Sequence, residues 1–311
     1  MGQLVNGVWE TAPLAGTGAA FQRPASSFRD HVKADDAATG RYHLYAAYAC
    51  PWAHRTLITR ALRGLEHAIG VTLVDSHMGE HGWELRTEDP DPYGPSKYLS
   101  DVYVRAKSDC TGKVTVPVLW DSVKKTIVNN ESREVMRIFD VELSAMAKNP
   151  LVDTLSPEKL RPQIEKVLDE IYQPINNGVY RAGFARTQEA YERAVNELFA
   201  ALAHWDAELG TRPFTCGDQM TEADVALFTT CLRFDLVYYS HMKCNVKRLR
   251  DHVNLWRFTR RMYQVPAIRA TCHLDEIKTH YYWSQDNVNP TRIVPVGPSE
   301  YARDLDVASD L

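Results

Sequence analysis

The chain has 311 residues, of which 44% are hydrophobic and 24% are charged. This is enough apolar material for one large core or two smaller ones, and it excludes a disordered chain or a small disulfide-dependent scaffold. Lysine and arginine number 36 against 40 aspartate and glutamate residues, so the formal charge is -4. The composition therefore does not favour nucleic acid as a partner.

Targeting signals and cysteine usage predict a cytoplasmic protein. No stretch approaches about 18 consecutive apolar residues, and residues 1–7 lack the basic and apolar regions of a secretory signal, which argues against a membrane span and against secretion. The six cysteines are scattered through a chain too long to need disulfides, so we interpret them as reduced thiols.

The first half of the chain alternates short β-rich runs with helical runs. Aromatic and β-branched residues predict strands at residues 42–48, 69–74, 115–120 and 126–128. The helix predicted at 51–64 begins with proline and ends with glycine, and a second helix is predicted at 131–139. A β-α-β half followed by a β-β-α half is the thioredoxin arrangement. We therefore predict an α/β thioredoxin-like, thiol-binding domain over 41–145, after an N-terminal extension over 1–40.

One long irregular region interrupts this half. Residues 76–112 contain Pro90, Pro92 and Pro95 and a solitary Trp83. A compact thioredoxin-like domain needs far fewer residues here. Because loops of this length in compact domains are commonly functional, we expect a functional role for this region.

Beyond residue 150 the hydrophobic period is helical almost throughout. One long amphipathic helix is predicted over 187–210, which begins with threonine, ends with glycine and has apolar residues at steps of three and four. Thr221 and Asp224 have the spacing of a capping box at the start of another helix. We predict an all-α domain over 150–285. An extended tail is predicted over 286–311, which contains prolines and has no clear period.

Cys50 stands where a predicted strand passes into a predicted helix, in the sequence Cys50-Pro51-Trp52-Ala53. Unpaired N–H groups and the positive end of the helix dipole stabilise a thiolate, and can lower the pKa of a cysteine from about 8.5 into the range ~3.5 to 7.5. Three positions on stands Ala53 and not a second cysteine, so a mixed disulfide on Cys50 needs an external thiol to resolve it. These features predict that Cys50 is a catalytic nucleophile.

Two other roles for Cys50 are open at this point. A lone cysteine is more commonly a buried apolar residue, although the strand, the Cys-Pro pair, the helix and a later Val-Pro pair come in the right order for a nucleophile. Cys50 and His54 also have a ligand-like spacing. No second pair follows at the spacing of a zinc site, so no metal is predicted.

Two further segments could hold a peptide-like ligand. A cis bond between Val116 and Pro117 would leave the Val116 backbone groups outside the sheet ladder and able to bind a ligand; an edge-strand proline is the alternative. Glu131 and Ser132 stand at a predicted helix start. N–H groups, a hydroxyl and a carboxylate there could hold the carboxylate and ammonium of an amino acid; a simple N-cap at Ser132 is the alternative.

Six blocks of the sequence carry a resemblance to a known family, at residues 48–55, 115–121, 127–132, 176–185, 233–238 and 289–298. In these blocks the chain resembles the glutathionyl-hydroquinone reductases, the Xi class of glutathione transferases. The Cys-Pro and Glu-Ser elements alone would fit any cysteine-type transferase, such as the Omega class. The Cys-Pro-Trp-Ala block, the Val-Tyr-Arg-Ala-Gly-Phe block and the proline-rich tail together are far more specific.

The resemblance implies the glutathione transferase fold, a thioredoxin-like domain plus an all-α domain, in a homodimer. It implies that glutathione, as co-substrate, binds at four residues: Trp83, Val116 through its backbone, Glu131 and Ser132. It also implies a pocket for aromatic quinone conjugates that is lined by three phenols: Tyr180, Tyr238 and Tyr281. Taken alone, each of these tyrosines would more commonly be a core residue. Phenol hydroxyls suit the task, because they can donate to a phenolate oxygen and their rings can flank an aromatic substrate.

The implied reaction is ping-pong covalent catalysis at Cys50. The thiolate attacks the sulfur of a glutathionyl-hydroquinone, which gives hydroquinone and a Cys50-glutathione disulfide, and a second glutathione releases oxidised glutathione. Tyr180 and Tyr281 are expected to act as proton donors or gates. Three alternatives stay open: an Omega-like thiol transferase or dehydroascorbate reductase with the same nucleophile, the same chemistry with another low-molecular-weight thiol, and a ligand-binding scaffold dimer on the same fold.

Overall fold

The computed structural model describes residues 2–11 and 20–307, which divide into two compact units. The first, here called the N-terminal unit, comprises residues 2–11 and 23–153 of the described chain. The second, the helical unit, comprises residues 20–22 and 154–307. The division after residue 153 lies close to the change of hydrophobic texture at about residue 150.

The N-terminal unit begins with a hairpin of two strands, β1 (Gln3–Val5) and β2 (Val8–Glu10). Leu4 and Gly112 exchange backbone hydrogen bonds of 2.9 Å in both directions. The side chains of Leu4 and Val32 are buried in the core of the unit. Residues of the predicted N-terminal extension therefore share a core with the sheet.

Four strands form the central sheet: β3 (Tyr42–Ala46), β4 (Gly70–Leu73), β5 (Val118–Asp121) and β6 (Thr126–Asn129). Their order is β4-β3-β5-β6, with β3 parallel to β4 and antiparallel to β5, and β5 antiparallel to β6. All of β3 is buried, as expected for a central strand. This topology confirms the predicted α/β thioredoxin-like class. β5 begins later than the predicted residue 115, because Pro117 has no N–H group to donate to the ladder.

Three α-helices complete the N-terminal unit: α1 (Pro51–Leu62), α2 (Leu99–Ala106) and α3 (Ser132–Arg137). α1 and α3 pack against each other. The chain leaves α1 through Gly64, where φ is 61° and an added Cβ would lie 2.1 Å from the carbonyl oxygen of Lys148, so glycine is needed there. α2 lies within residues 76–112, where an irregular region was predicted. The three prolines of that region precede this helix and do not interrupt it.

The helical unit is built from eight α-helices in its described part: α4 (Arg161–Ile171), α5 (Gly178–Gly183), α6 (Gln188–Glu208), α7 (Glu222–Arg233), α8 (Val253–Tyr263), α9 (Pro266–Arg269), α10 (Leu274–Ser284) and α11 (Tyr301–Asp306). With the sheet of the N-terminal unit, these helices confirm the predicted glutathione transferase fold class. Within the described chain, no helix has the length and apolar character to cross a bilayer.

The helix ends predicted for this unit are confirmed. The hydroxyl of Thr187 accepts a hydrogen bond from the backbone N–H of Ala190 at 3.2 Å, at the start of α6. The carboxylate of Asp224 accepts from the backbone N–H of Thr221 at 2.8 Å, which closes the capping box of α7. α7 then continues as a π-helical turn over Phe234–Tyr238.

The tail is not extended throughout, so the prediction for 286–311 is wrong at α11. Tyr301 and Leu305 are buried on this short helix, and the Tyr301 hydroxyl donates to the carbonyl oxygen of Leu232 at 2.9 Å. Arg250 and Asp304 form an ion pair of 3.0 Å. The hydrophobic pattern of the tail does not predict this helix, because only two side chains of the helix are buried. Residues 308–311 lie outside the described residues.

Candidate active site

Cys50 is the N-cap residue of α1, with extended backbone (φ -78°, ψ 121°) immediately before Pro51. Its side chain is half-buried, and Sγ donates a long hydrogen bond of 3.8 Å to the carbonyl oxygen of Val116. The predicted nucleophile therefore lies at the positive end of a helix and is not enclosed in an apolar core. His54, the other half of the ligand-like pair, is fully buried. Across residues 2–11 and 20–307, no group of three or more His, Cys, Asp or Glu side chains could hold a metal ion.

The other five cysteines are poor candidates for the nucleophile. Burial raises the pKa of each of their thiols: Cys110, Cys216, Cys231, Cys244 and Cys272. For Cys231 and Cys272 the pKa is about 12. Because the thiolate is the reactive form of cysteine, a thiol with a raised pKa is a poor nucleophile at neutral pH. The environment of these five residues leaves Cys50 as the candidate nucleophile.

Two arginines lie over the ring of Trp52, and neither was predicted from the sequence. Cζ of Arg23 is 4.7 Å and Cζ of Arg55 is 4.3 Å from the ring centroid, within the range of cation–π attraction. Arg55 is buried, and its Nη1 donates to the hydroxyl of Ser132 at 3.5 Å. Positive charge at the first turn of α1 favours bound anions and anionic side chains nearby. The available signal was the aromatic residue directly after Cys50-Pro51, with arginine three positions later on the same helix face.

The two segments predicted to hold a ligand meet at one edge of the sheet, since β5 begins and β6 ends there. The Val116–Pro117 peptide bond is cis, as predicted. Glu131 is the N-cap of α3 and Ser132 is its first helical residue. The alternative of an N-cap at Ser132 is therefore wrong. The Glu131 carboxylate accepts a hydrogen bond of 2.9 Å from the Ser26 hydroxyl, so the predicted N-terminal extension reaches this point.

Trp83 lies in the core of the N-terminal unit. Its side chain is 7% exposed and belongs to the same buried cluster as Val116. Its carbonyl oxygen accepts a hydrogen bond of 2.9 Å from the backbone N–H of Leu99, at the start of α2. Trp83 thus supports the fold at this end of the unit, and its contact with a ligand stays a prediction.

The three predicted tyrosines form one hydrogen-bonded cluster within the helical unit. Tyr180 lies on α5, Tyr238 ends the π-helical turn after α7, and Tyr281 lies on α10. The Tyr281 hydroxyl is 2.5 Å from that of Tyr180 and 2.9 Å from that of Tyr238. The ring of Phe21 lies 6.5 Å from the ring of Tyr180. Residue 21, within the predicted N-terminal extension, therefore joins this cluster, a contact that was not predicted from the sequence.

The cluster favours protonated phenols. Burial raises the pKa of Tyr238 and of Tyr281 well above the ordinary value of 10, because a phenolate loses its hydration in an apolar interior. Both side chains therefore carry their protons at neutral pH. A protonated, buried hydroxyl can donate a hydrogen bond to an anionic oxygen.

Comparison with known proteins shows the family of this chain. The family described as Glutathione S-transferase, N-terminal domain, matches residues 49–142, and that described as Glutathione S-transferase, C-terminal domain, matches residues 188–261. The glutathionyl-hydroquinone reductase PcpF of Sphingobium chlorophenolicum is 44% identical over 306 residues, which cover 96% of this chain and 97% of that protein. The chain belongs to the glutathionyl-hydroquinone reductases, the Xi class of glutathione transferases.

Solved structures of Xi-class glutathione transferases and their homologues extend the likeness to the whole fold. A Xi-class glutathione transferase from Natrialba magadii has 48% identity and a TM-score of 0.91, and the match covers 100% of this chain and 95% of that chain. The glutathione-bound structure of YqjG, a glutathione transferase homologue from Escherichia coli K-12, has 40% identity and a TM-score of 0.90, with 99% of this chain and 98% of that chain covered.

Proposed function

We propose that this chain is a glutathione-dependent reductase of glutathionyl-hydroquinones. The observation that carries the proposal is the position of Cys50, whose half-buried sulfur stands at the start of α1 and 3.8 Å from the Val116 carbonyl oxygen. Ala53 stands where a resolving cysteine would be. Family membership supplies the substrate class, and a homologue of this fold has been solved with glutathione bound.

In the first half-reaction the Cys50 thiolate attacks the sulfur of the glutathionyl-hydroquinone. The new bond joins the Cys50 sulfur to the glutathione sulfur, and the bond from that sulfur to the aromatic carbon breaks. The aromatic carbon keeps the electron pair of the broken bond and takes a proton, and the hydroquinone then leaves. In the second half-reaction the thiolate of another glutathione attacks the mixed disulfide, which restores Cys50 and gives oxidised glutathione.

The glutathione part of the conjugate is assigned to the edge of the sheet in the N-terminal unit. The backbone groups of Val116, which lie just before β5, match a peptide, and the Glu131 carboxylate matches an ammonium group. Ser132 and the N–H groups at the start of α3 would bind a carboxylate, and Trp83 would supply an aromatic wall. Tyr180, Tyr238 and Tyr281 are assigned to the aromatic part, with Tyr180 and Tyr281 as proton donors.

The replacement of Cys50 tests the proposal directly. Cys50→Ser should lose at least about a thousandfold in the turnover of glutathionyl-menadiol, because a serine hydroxyl is not ionised at neutral pH and cannot form the disulfide. Cys272→Ser is the matched control, since Cys272 is also half-buried but has a raised pKa. We expect this control to retain wild-type turnover. Near wild-type turnover by Cys50→Ser would refute the nucleophile assignment.

The relative rates on two substrates separate this function from that of an Omega-like thiol transferase. We expect kcat/KM on glutathionyl-menadiol to exceed that on a glutathione mixed disulfide, and the reverse order would favour the Omega-like function. Glutathione is proposed as the reductant, and turnover with other low-molecular-weight thiols in its place checks this. A homodimer and a cytoplasmic location are further expectations, which sedimentation and cell fractionation would test.

A further inference from the structure

The phenol hydroxyl of Tyr103 joins the two segments on which the proposed glutathione site depends. Tyr103 lies on α2 and is 1% exposed. We propose that Tyr103 is a positioning residue for glutathione, which holds the Val116 segment and the Glu131 segment at a fixed separation. This inference rests on the proposed function, because that function assigns glutathione to these segments.

The hydroxyl of Tyr103 uses its full hydrogen-bonding capacity. It donates to the carbonyl oxygen of Thr115 at 2.8 Å and accepts from the backbone N–H of Thr115 at 3.3 Å. It also accepts from the side-chain amide of Asn130 at 3.0 Å. A phenol has one proton to donate and two lone pairs to accept with, so all three are engaged.

The two partners of Tyr103 directly precede the residues assigned to the ligand. Thr115 precedes Val116, whose backbone is assigned to the peptide part of glutathione. Asn130 precedes Glu131, whose carboxylate is assigned to its ammonium group. Because these assigned groups would contact different parts of one ligand, their separation must match the length of that ligand.

Asn130 extends the same connection to a third segment. Its side-chain oxygen accepts a hydrogen bond of 3.1 Å from the backbone N–H of Phe28, and the Phe28 ring lies edge-on to the Tyr103 ring, with 5.8 Å between the centroids. The Ser26 hydroxyl, two residues earlier, donates to the Glu131 carboxylate. Tyr103 therefore fixes both the start of α3 and the segment that orients the Glu131 carboxylate.

Removal of the hydroxyl leaves the rest of the packing in place. Tyr103→Phe retains the ring against Phe28, but it removes the only atom that both Thr115 and Asn130 contact in the described hydrogen bonds. The two segments can then move independently, and a ligand must pay the cost of ordering them on binding. We expect weaker binding of glutathione derivatives with no change in the reactivity of the Cys50 thiol.

The test measures the Kd of S-methylglutathione, which cannot form a disulfide, and in parallel the rate at which iodoacetamide alkylates Cys50. Tyr42→Phe is the matched control, because Tyr42 is equally buried and its hydroxyl donates to the carbonyl oxygen of Asp36 at 3.2 Å. The backbone of Tyr42 pairs with that of Asp121, at the end of β5 opposite to Val116. We expect Tyr103→Phe to raise the Kd about tenfold and Tyr42→Phe to leave it within about twofold of wild type. Both variants should be alkylated at the wild-type rate.

Asn130→Ala gives a second variant that keeps the phenol. The variant that combines Tyr103→Phe with Asn130→Ala then tests whether Tyr103 acts through Asn130. If it does, the Kd of this double variant should rise by clearly less than the product of the increases in the two single variants. A Kd within twofold of wild type for Tyr103→Phe, or equal increases for Tyr103→Phe and Tyr42→Phe, would overturn the proposal.

Turnover of glutathionyl-menadiol by the wild-type protein separates the two proposals. If the wild type binds S-methylglutathione but does not turn over the conjugate, the proposed function fails and the Kd comparison still decides the role of Tyr103. If the wild type does not bind S-methylglutathione, both proposals fail.

Discussion

Burial and the helix dipole have opposite effects on the ionisation of single side chains in this protein. Burial raises the pKa of Tyr238 and Tyr281 and keeps their protons in place. Cys50 is half-buried at a helix N-terminus, where the dipole favours the loss of a proton. The predicted nucleophile and these two phenols of the predicted substrate pocket thus differ in environment as well as in chemistry.

Tyr281→Phe tests the role of the phenols. Its hydroxyl contacts the hydroxyls of both Tyr180 and Tyr238. We expect kcat on glutathionyl-menadiol to fall about 100-fold, at the lower end of the ~10²- to 10⁴-fold that general acid catalysis commonly contributes, because Tyr180 remains as the other assigned proton donor. The alkylation of Cys50 should stay unchanged. Tyr301→Phe is the matched control, since Tyr301 is another fully buried phenol of the helical unit that donates to a backbone carbonyl. An unchanged kcat in Tyr281→Phe would count against a catalytic role for this hydroxyl.

The buried imidazole of His43 makes the stability of the folded chain depend on pH. Burial lowers the pKa of this imidazole from 6.5 to about 4, and its Nε2 lies 2.9 Å from the Thr72 hydroxyl. The unfolded chain binds a proton below about pH 6.5 but the folded chain binds it only below about pH 4. This residue therefore stabilises the fold above pH 6.5, and up to about 3 kcal/mol of that contribution is lost as the pH falls towards 4.

Urea unfolding of the wild type and of His43→Gln at pH 7 and pH 4.5 measures this effect. We expect the free energy of unfolding to fall less in the variant than in the wild type over this range, because glutamine does not titrate. Equal falls in the two proteins would show that His43 is not a neutral buried imidazole.

Helices and strands differ in how clearly the sequence marks their ends. The ends of α1, α6 and α7 are predictable because proline, threonine and a capping carboxylate occupy positions with a local physical role. α2 and α11 were missed. Both are short, and in each case prolines in the preceding segment indicate a loop. Their stability comes from contacts with residues distant in sequence, such as the bond from Tyr301 to Leu232.

α11 should therefore depend on its two buried side chains. Leu305 is fully buried, and Leu305→Ala should lower the free energy of unfolding by about 2 to 5 kcal/mol through lost apolar burial and a residual cavity. Val307→Ala is the control, since Val307 is an exposed apolar residue close by and its loss should cost less than about 0.5 kcal/mol. The two variants are compared by urea unfolding. Equal stabilities would show that α11 does not pack as described.

At the scale of the whole molecule, the sequence predicts the fold class and the candidate nucleophile because both depend on local patterns. The strand, the Cys-Pro pair and the helix at Cys50 are contiguous, and so is the Val116–Pro117 pair. The roles of Arg23, Phe21 and Ser26 could not be predicted, because each comes from a segment without regular structure and contacts residues far along the chain. The same holds for the link that Tyr103 makes between Thr115 and Asn130.

The ionisation of Cys50 is the property on which the proposed chemistry depends. The rate at which iodoacetamide alkylates this residue in the intact protein can be followed from pH 4 to pH 10 by peptide mass spectrometry, with Cys50→Ser as the background for the other five thiols. We expect the rate to rise with a midpoint below about pH 7.5, as for a thiolate at a helix N-terminus. A midpoint at or above about 8.5, the ordinary value for a free cysteine, would contradict the assignment of Cys50 as the nucleophile.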